Sequence, residues 1–272
     1  MKLVLFDVDG TLIDTDYNLT VPDEEFLAVI REAQDHEVMI GLCSDSATIT
    51  LMQWSSRLAL NGPIVAERGA TVSTVDETWV LDPLKTAWFS DLRAAFVVRL
   101  MAEFPESTIM VGDATAFVKD RPSKALTEQI IAVNGFRTSS FSFFARQLNT
   151  DRTKMIPDVD RLEVAAEIVR EIVSELGRDG DLLTWDFNVT SGILIVHSMD
   201  TSKGRGVASL IDRLKPELTV MVGDGPSDYL GIGEVIQCAV ANADPRYKQK
   251  ADYVARESLT RGAIECLLNY CR

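Results

Sequence analysis

Residues 3–12 read LVLFDVDGTL, and this stretch decides the fold. Four apolar residues in a row, 3–6, mark a strand covered on both faces, because a strand with one wet face would alternate. Two carboxylates follow at once, Asp7 and Asp9, with Gly10 permitting a sharp turn. In an open parallel sheet, ligands bind just beyond the carboxyl ends of the strands, where both acids would sit. Two carboxylates held together repel unless a cation lies between them or one keeps its proton. The pattern therefore calls for a metal or an acid/base pair. A plain polar turn is the alternative, since Asp and Gly are ordinary turn residues. A calcium loop does not fit, because its third oxygen ligand and later Glu are not at the required positions.

Outward from this stretch the chain alternates strand and helix signals. A helix from about 23 to 36 places Phe26, Leu27, Ile30 and Ala33 on one face. VMIGLC at 38–43 is a second buried strand, followed by a helical segment around 47–60. The rhythm returns near Ser202 with a helix, then LTVMVG (218–223), IQCAV (236–240) and a closing helix. Strand, helix, strand in this order implies a parallel α/β sheet. Between about 80 and 197 the texture changes to long helices (85–104, 160–176), strands with a polar face and a loop-like stretch at 135–157. The expected organisation is a Rossmann-like core, residues 1–80 plus 198–272, with a second α/β domain inserted at 81–197. A cleft between two domains is a common setting for a small-molecule site.

The 272 residues carry a formal charge of −14, with 46% hydrophobic and 25% charged residues. That acidity argues against a non-specific hold on nucleic acid or an anionic membrane, both of which need surplus Lys and Arg. The four cysteines show no metal-type spacing, and no apolar run is long enough for a signal peptide or a membrane span. Reduced thiols and a cytoplasmic location are expected; oligomeric state is not legible.

The carboxyl-terminal third supplies further chemistry. MVGDGPSD places Asp224 at a strand end and Asp228 four residues later, a spacing that lets both carboxylates enter one pocket; hard oxygen ligands suit Mg²⁺. TSKGRG places Lys203 at a helix start with Ser202 as its cap, although a lone Lys there is usually surface decoration. LCSDS ends the second strand with Ser44 and Asp45. Each signal alone is weak, because strand ends are often polar. Together they converge on one topology.

At this point the chain resembles the haloacid dehalogenase superfamily of phosphotransferases: DVDGTL (7–12), Ser44, Lys203 and GDGPSD (223–228) stand in that family's order. NGPIVAERGA and VANADPRYKQKADYV look like its Cof-type branch, which includes sugar-phosphate phosphatases and carries an inserted α/β cap. The resemblance implies a Mg²⁺-dependent phosphatase acting on a small phosphorylated metabolite. Asp7 would be the nucleophile and Asp9 the general acid/base. Asp7, the backbone carbonyl of Asp9, Asp224 and Asp228 would hold Mg²⁺. Ser44 and Lys203 would bind the phosphate oxygens, assisted by the backbone amides of Gly10 and Asp45. The branch's second motif usually ends Thr-Gly-Arg; here it reads Ser44-Asp45-Ser46, and an extra carboxylate near phosphate is unfavourable unless it turns away or meets a cation. Arg68, where the branch usually has Asn, is a candidate for the missing positive charge, an exposed arginine being the plainer reading. The Ser-Asp pair also resembles phosphomannomutases, so a phosphomutase is an alternative, as is a non-catalytic relative that binds a phosphorylated ligand.

MVGD also occurs at 110–113, but there Phe117 replaces the second acid and the copy precedes Lys203. It reads as an ordinary strand of the inserted domain. His36 reads as solvated, His197 as a satisfied strand-end side chain with a hinge or substrate role as the alternative, and FSFF (141–144) as core rather than as a lining of the cleft or a docking patch.

Overall fold

The computed structural model describes residues 1–81, 83–114, 128–177 and 182–271. They form two compact units, Met1–Leu81 with Thr201–Arg272, and Asp82–Asp200.

The first unit is built on β1 (Lys2–Phe6), the run that opens the chain. It pairs in parallel with β2 (Val38–Cys43) on one side and β12 (Leu218–Gly223) on the other. The full order is β14-β13-β12-β1-β2-β3-β4-β5, where β3 is Ile64–Ala66, β4 Thr71–Ser73, β5 Thr78–Val80, β13 Val235–Ala239 and β14 Tyr253–Val254. The strands are parallel except where β4 and β5 turn back antiparallel. Side-chain alternation explains why β1 is apolar throughout. Val4 and Phe6 enter a cluster with Phe26 and Ile30 of α1 (Asp23–Asp35) and with Cys266 and Leu267. Leu3 and Leu5 enter the opposite cluster with Val207 and Leu210. Each such side chain contributes about 1.5–3 kcal/mol by leaving water, so both faces depend on the same five-residue strand.

The second unit carries a sheet of order β10-β11-β8-β7-β6, with β9 added against β8. The strands are β6 (Thr108–Gly112), β7 (Gln129–Asn134), β8 (Ser140–Leu148), β9 (Met155–Pro157), β10 (Leu183–Asn188) and β11 (Ile193–Ser198). Helices α3 (Pro83–Glu103) and α4 (Val159–Glu175) supply Phe89, Phe96, Leu162 and Val169 to a cluster that includes Phe141 and Phe143 of β8. The loop-like reading of 135–157 was wrong: it holds β8, the sheet's longest strand, and β9. Serines disguised it, because Ser140 and Ser142 alternate with the phenylalanines yet are themselves buried. FSFF is core, as expected. Among the described residues, no helix is long and apolar enough to cross a membrane.

One tight approach fixes the start of α5 (Lys203–Leu214) in the first unit. Gly69, at φ +86°, lies so close to Ser202 that an added Cβ would be 2.0 Å from the Ser202 carbonyl oxygen. Gly69→Ala should lower stability by about 2–4 kcal/mol in urea unfolding, combining left-handed strain with the clash. Gly177 also has positive φ but nothing within 4 Å of an added Cβ. Gly177→Ala should cost only about 1–2 kcal/mol, and equal losses at the two positions would refute the clash.

Candidate active site

Three strand ends build the site. The register sets Phe6 opposite both Leu42 and Val222, so β1, β2 and β12 finish at one edge of the sheet. Asp7, Ser44 and Asp224 are the residues that follow. The Asp7 amide still donates to the Val222 carbonyl at 2.9 Å, and the Ser44 amide to the Val65 carbonyl at 2.9 Å. Both side chains therefore start from backbone that the sheet still holds.

Lys203 is the first residue of α5, whose N-cap Ser202 accepts a hydrogen bond from the Arg205 amide at 3.1 Å. The sequence alone left this lysine open as surface decoration. Instead it is 3% exposed, and its Nζ donates to Asp7 Oδ1 at 2.7 Å and to Asp228 Oδ1 at 2.6 Å. Asp228 closes the short turn Pro226–Asp228, and its Oδ2 accepts from the amides of Asp224 (2.9 Å) and Gly225 (2.8 Å). Both oxygens of Asp228 are thus engaged, one fixing the loop and the other the lysine.

Carboxylate oxygens of Asp7, Asp224 and Asp228 all lie within 4.8 Å of one another. Burial raises Asp7 well above the ordinary carboxylate range; Lys203 opposes the shift, while Asp228 and Asp224 add to it. Asp224 is pushed up to about 6, first by burial and then by Asp228, with the Thr11 hydrogen bond opposing. Burial would lower Lys203, but Asp228 and Asp7 outweigh it and hold the ammonium above its usual range. The lysine stays charged, and the acids around it carry more negative charge than one ammonium can answer.

Asp9 stands apart from this trio, of which Asp7 and Asp228 are buried and Asp224 half-buried. It is exposed, and the Ser46 hydroxyl donates to its Oδ2 at 3.5 Å. The Ser46 amide in turn donates to Ser44 Oγ at 3.3 Å. Gly10, at φ +82°, lets the loop turn under Asp224; an added Cβ would sit 2.5 Å from Asp224 Oδ2. Arg68 is half-buried with φ +58° in the turn after β3, and its amide donates to the Ser44 carbonyl at 3.4 Å.

Two contributors had no role in the sequence reading. The Thr11 hydroxyl donates to Asp224 Oδ1 at 3.2 Å. Asn242 clamps the loop, its Nδ2 donating to the Gly10 carbonyl at 2.7 Å and its Oδ1 accepting from the Leu259 amide at 2.8 Å. Both lie within motifs that carried the resemblance, so the signal was present without its geometry. Elsewhere, His36 caps its helix, exposed, its Nδ1 2.7 Å from the Glu32 carbonyl. His197 is fully buried in β11 with Nε2 2.7 Å from Asp186 Oδ2, while its Nδ1 has no hydrogen-bond partner; the side chain is half satisfied rather than satisfied. Asp113 follows β6 in the second unit, and Phe117 lies outside the described residues.

A parallel α/β core that gathers paired acids and a lysine at the carboxyl edge of its sheet, in a chain with a second α/β unit, defines a class of hydrolytic enzyme. The family model for haloacid dehalogenase-like hydrolases matches residues 4–267, and the chain belongs to that family. Its relatives include phosphatases. It is 23% identical to a phosphoglycolate phosphatase of Methanothermobacter thermautotrophicus over 99% of each chain. Among solved structures, a haloacid dehalogenase-like hydrolase from Bacteroides thetaiotaomicron aligns with a TM-score of 0.66 at 16% identity, over 98% of each chain. A subclass IIB sugar phosphatase of this superfamily aligns with a TM-score of 0.59 at 14% identity, over 99% of each chain.

Removing the lysine should expose how much of the site it holds. Lys203→Met should lower stability by more than about 3 kcal/mol at pH 8 in urea unfolding, because it strands buried carboxylates. Asp7, already raised, gains a proton on acidification, so the deficit should shrink toward pH 5. A deficit independent of pH would refute this account.

Proposed function

We propose that the chain is a Mg²⁺-dependent phosphatase that hydrolyses a small phosphorylated metabolite through a phosphoryl group carried by Asp7. The observation that carries this reading is the buried Lys203 bridging Asp7 and Asp228, with Asp224 beside them. The residues fit a small divalent cation: the donors are hard oxygens, their charge exceeds that of the lysine, and the glycine turn at Gly10 brings the loop against Asp224. Asp7, the Asp9 carbonyl and Asp224 would hold the ion. Asp228, already bonded to two amides and Lys203, suits a ligand acting through water. Bound Mg²⁺ offsets the repulsion between the nucleophilic carboxylate and the phosphate dianion.

A carboxylate oxygen of Asp7 attacks phosphorus as the bond to the leaving oxygen breaks. Asp9, two residues on and exposed, gives that oxygen its proton. Asp9 then takes a proton from water as the water attacks phosphorus, releasing phosphate and restoring Asp7. Lys203 steadies the nucleophile and draws on the phosphate oxygens. Ser44 Oγ, which accepts from the Ser46 amide, keeps its own hydrogen for a phosphate oxygen. The names of the relatives suggest two substrate types, a phospho-acid and a sugar phosphate.

A panel of phosphate esters with Mg²⁺, read as free phosphate, tests the reading. Asp7→Asn should abolish release while circular dichroism and the unfolding midpoint show a folded protein. Retained wild-type rates would overturn the mechanism, and no release by wild type on any ester would favour a non-catalytic binder. Asp224→Ala should remove Mg²⁺-dependent turnover, whereas Asp113→Ala, at the decoy MVGD, should leave the chemical step largely intact.

Mg²⁺ affinity, measured by calorimetry, should also fall as pH drops through about 6, because the proton competes for Asp224. The direction follows from the raised value. Above about pH 6 the charged Asp224 costs the metal-free fold stability and is free to take a cation; below it, protonation removes both effects.

A further inference from the structure

The loop that carries Asp9 is held from far down the chain. Residues 7–22 leave β1 and return to α1, with two backbone bridges between them, Asp9 with Ile13 and Ile13 with Leu19. Inside the loop the Gly10 amide donates to the Ile13 carbonyl at 3.0 Å, and the Leu12 and Ile13 amides donate to the Val8 carbonyl at 2.9 and 3.0 Å. Two of its carbonyls are met from elsewhere. Asn242 holds that of Gly10, and Thr260, in the first turn of the C-terminal helix (Leu259–Cys271), donates its hydroxyl to that of Leu12 at 2.6 Å. The same hydroxyl accepts from the Thr20 amide at 2.8 Å. Leu12 and Thr20 adjoin Ile13 and Leu19, so one side chain pins both limbs of the loop beside the bridges that support Asp9. Thr260 is fully buried, and a hydroxyl that donates and accepts at once has a fixed direction.

The brace itself is stiff. Ala263, Cys266 and Leu267 of its helix lie in the same core cluster as Val8, Leu12 and Ile13 of the loop. Leu259, just before Thr260, takes φ +53°, a left-handed conformation that leucine rarely adopts, and its amide is bonded to Asn242 Oδ1. Such backbone persists only where its surroundings over-determine it. Asp7 has other supports, its amide on the sheet and its carboxylate on Lys203. Asp9 starts beyond the strand, and its bond from Ser46, beside Asp45 in the turn between β2 and α2 (Thr48–Arg57), is long at 3.5 Å.

We infer that Thr260 is a positioning residue for proton transfer: through Leu12 and Thr20 it holds the loop so that Asp9 meets the leaving oxygen, with Asn242 bracing the same loop at Gly10. This rests on the phosphatase reading above and adds to it a residue that touches no reacting atom. A general acid acts only within hydrogen-bond reach, and a misplacement of about 1 Å can cost on the order of a hundredfold. Removing the brace should therefore harm esters whose leaving oxygen needs a proton and spare those whose leaving group departs without one.

The test compares kcat/KM for phenyl phosphate and p-nitrophenyl phosphate, with Mg²⁺, in wild type, Thr260→Val, Thr260→Ser and Asn242→Ala. The two esters have similar shapes, but nitrophenolate leaves unaided whereas phenolate is far more basic. Because kcat/KM covers only the steps up to phosphoryl transfer to Asp7, the later role of Asp9 as base does not enter. Thr260→Val keeps the shape and loses the hydroxyl. It should lower kcat/KM for phenyl phosphate at least about tenfold, and for p-nitrophenyl phosphate less than about threefold, out of the roughly 10²- to 10⁴-fold that a general acid supplies. Thr260→Ser should restore the wild-type ratio. Asn242→Ala, at an exposed position, should shift the ratio the same way and serves if Thr260→Val does not fold. An equal loss on both esters is what a purely structural or metal-binding role would give. It would overturn the inference while leaving the phosphatase reading standing, as would Thr260→Ser behaving like Thr260→Val. Failure of wild type to hydrolyse any phosphate ester would overturn both.

Discussion

The buried ammonium of Lys203 is the interaction on which this site depends. It reaches Asp7 from a helix that begins almost 200 residues later in the chain, and from the same helix it reaches Asp228, in a loop beyond it. Buried carboxylates without a partner would be strongly unfavourable; with the lysine between them, three distant segments are drawn to one point. The lysine does not complete the balance. Asp7 and Asp224 remain raised, so the site retains an unmet demand for positive charge, one that a divalent cation would satisfy.

The glycines serve the same end by removing side chains where carboxylates must pass. Gly10 yields its space to Asp224, and Gly223 to Asp228, whose atoms would lie 2.4 Å from an added Cβ. The loop after β12 then uses its own amides to hold Asp228. Orientation here comes from backbone, which is stiffer than side-chain contact.

Much of the first unit was legible because its strands are covered on both faces. Continuous apolar runs such as 3–6 and 220–222 cannot be confused with half-wet strands, and the acids beyond them mark the edge at which open parallel sheets generally bind ligands. The second unit was harder to read. β8 hides its period behind buried serines, and β7 drew no attention beside longer helical signals. Within the site, sequence spacing suggested Asp224 and Asp228 as companions and the family resemblance added Asp7, and their oxygens do meet. Neither revealed that Lys203 would be buried or that Thr11 and Asn242 would brace the loop. Those depend on contacts between residues more than 190 positions apart, which no local pattern encodes. The two MVGD copies illustrate the point: the same four letters end an edge strand of one sheet and a central strand of the other.

The pairing of β1 with β12 has a consequence for how the chain is made. β1, which leads into Asp7, precedes its neighbour by far in the chain: Val222 comes 216 residues after Phe6. Asp82–Asp200, by contrast, is a single unbroken segment. During synthesis that segment can finish its own core while β1 still lacks one flank. The edge that carries Asp7 and Asp224 therefore closes only after that segment, and until then an apolar strand must wait with one side unpaired, a stage at which a growing chain is prone to aggregate.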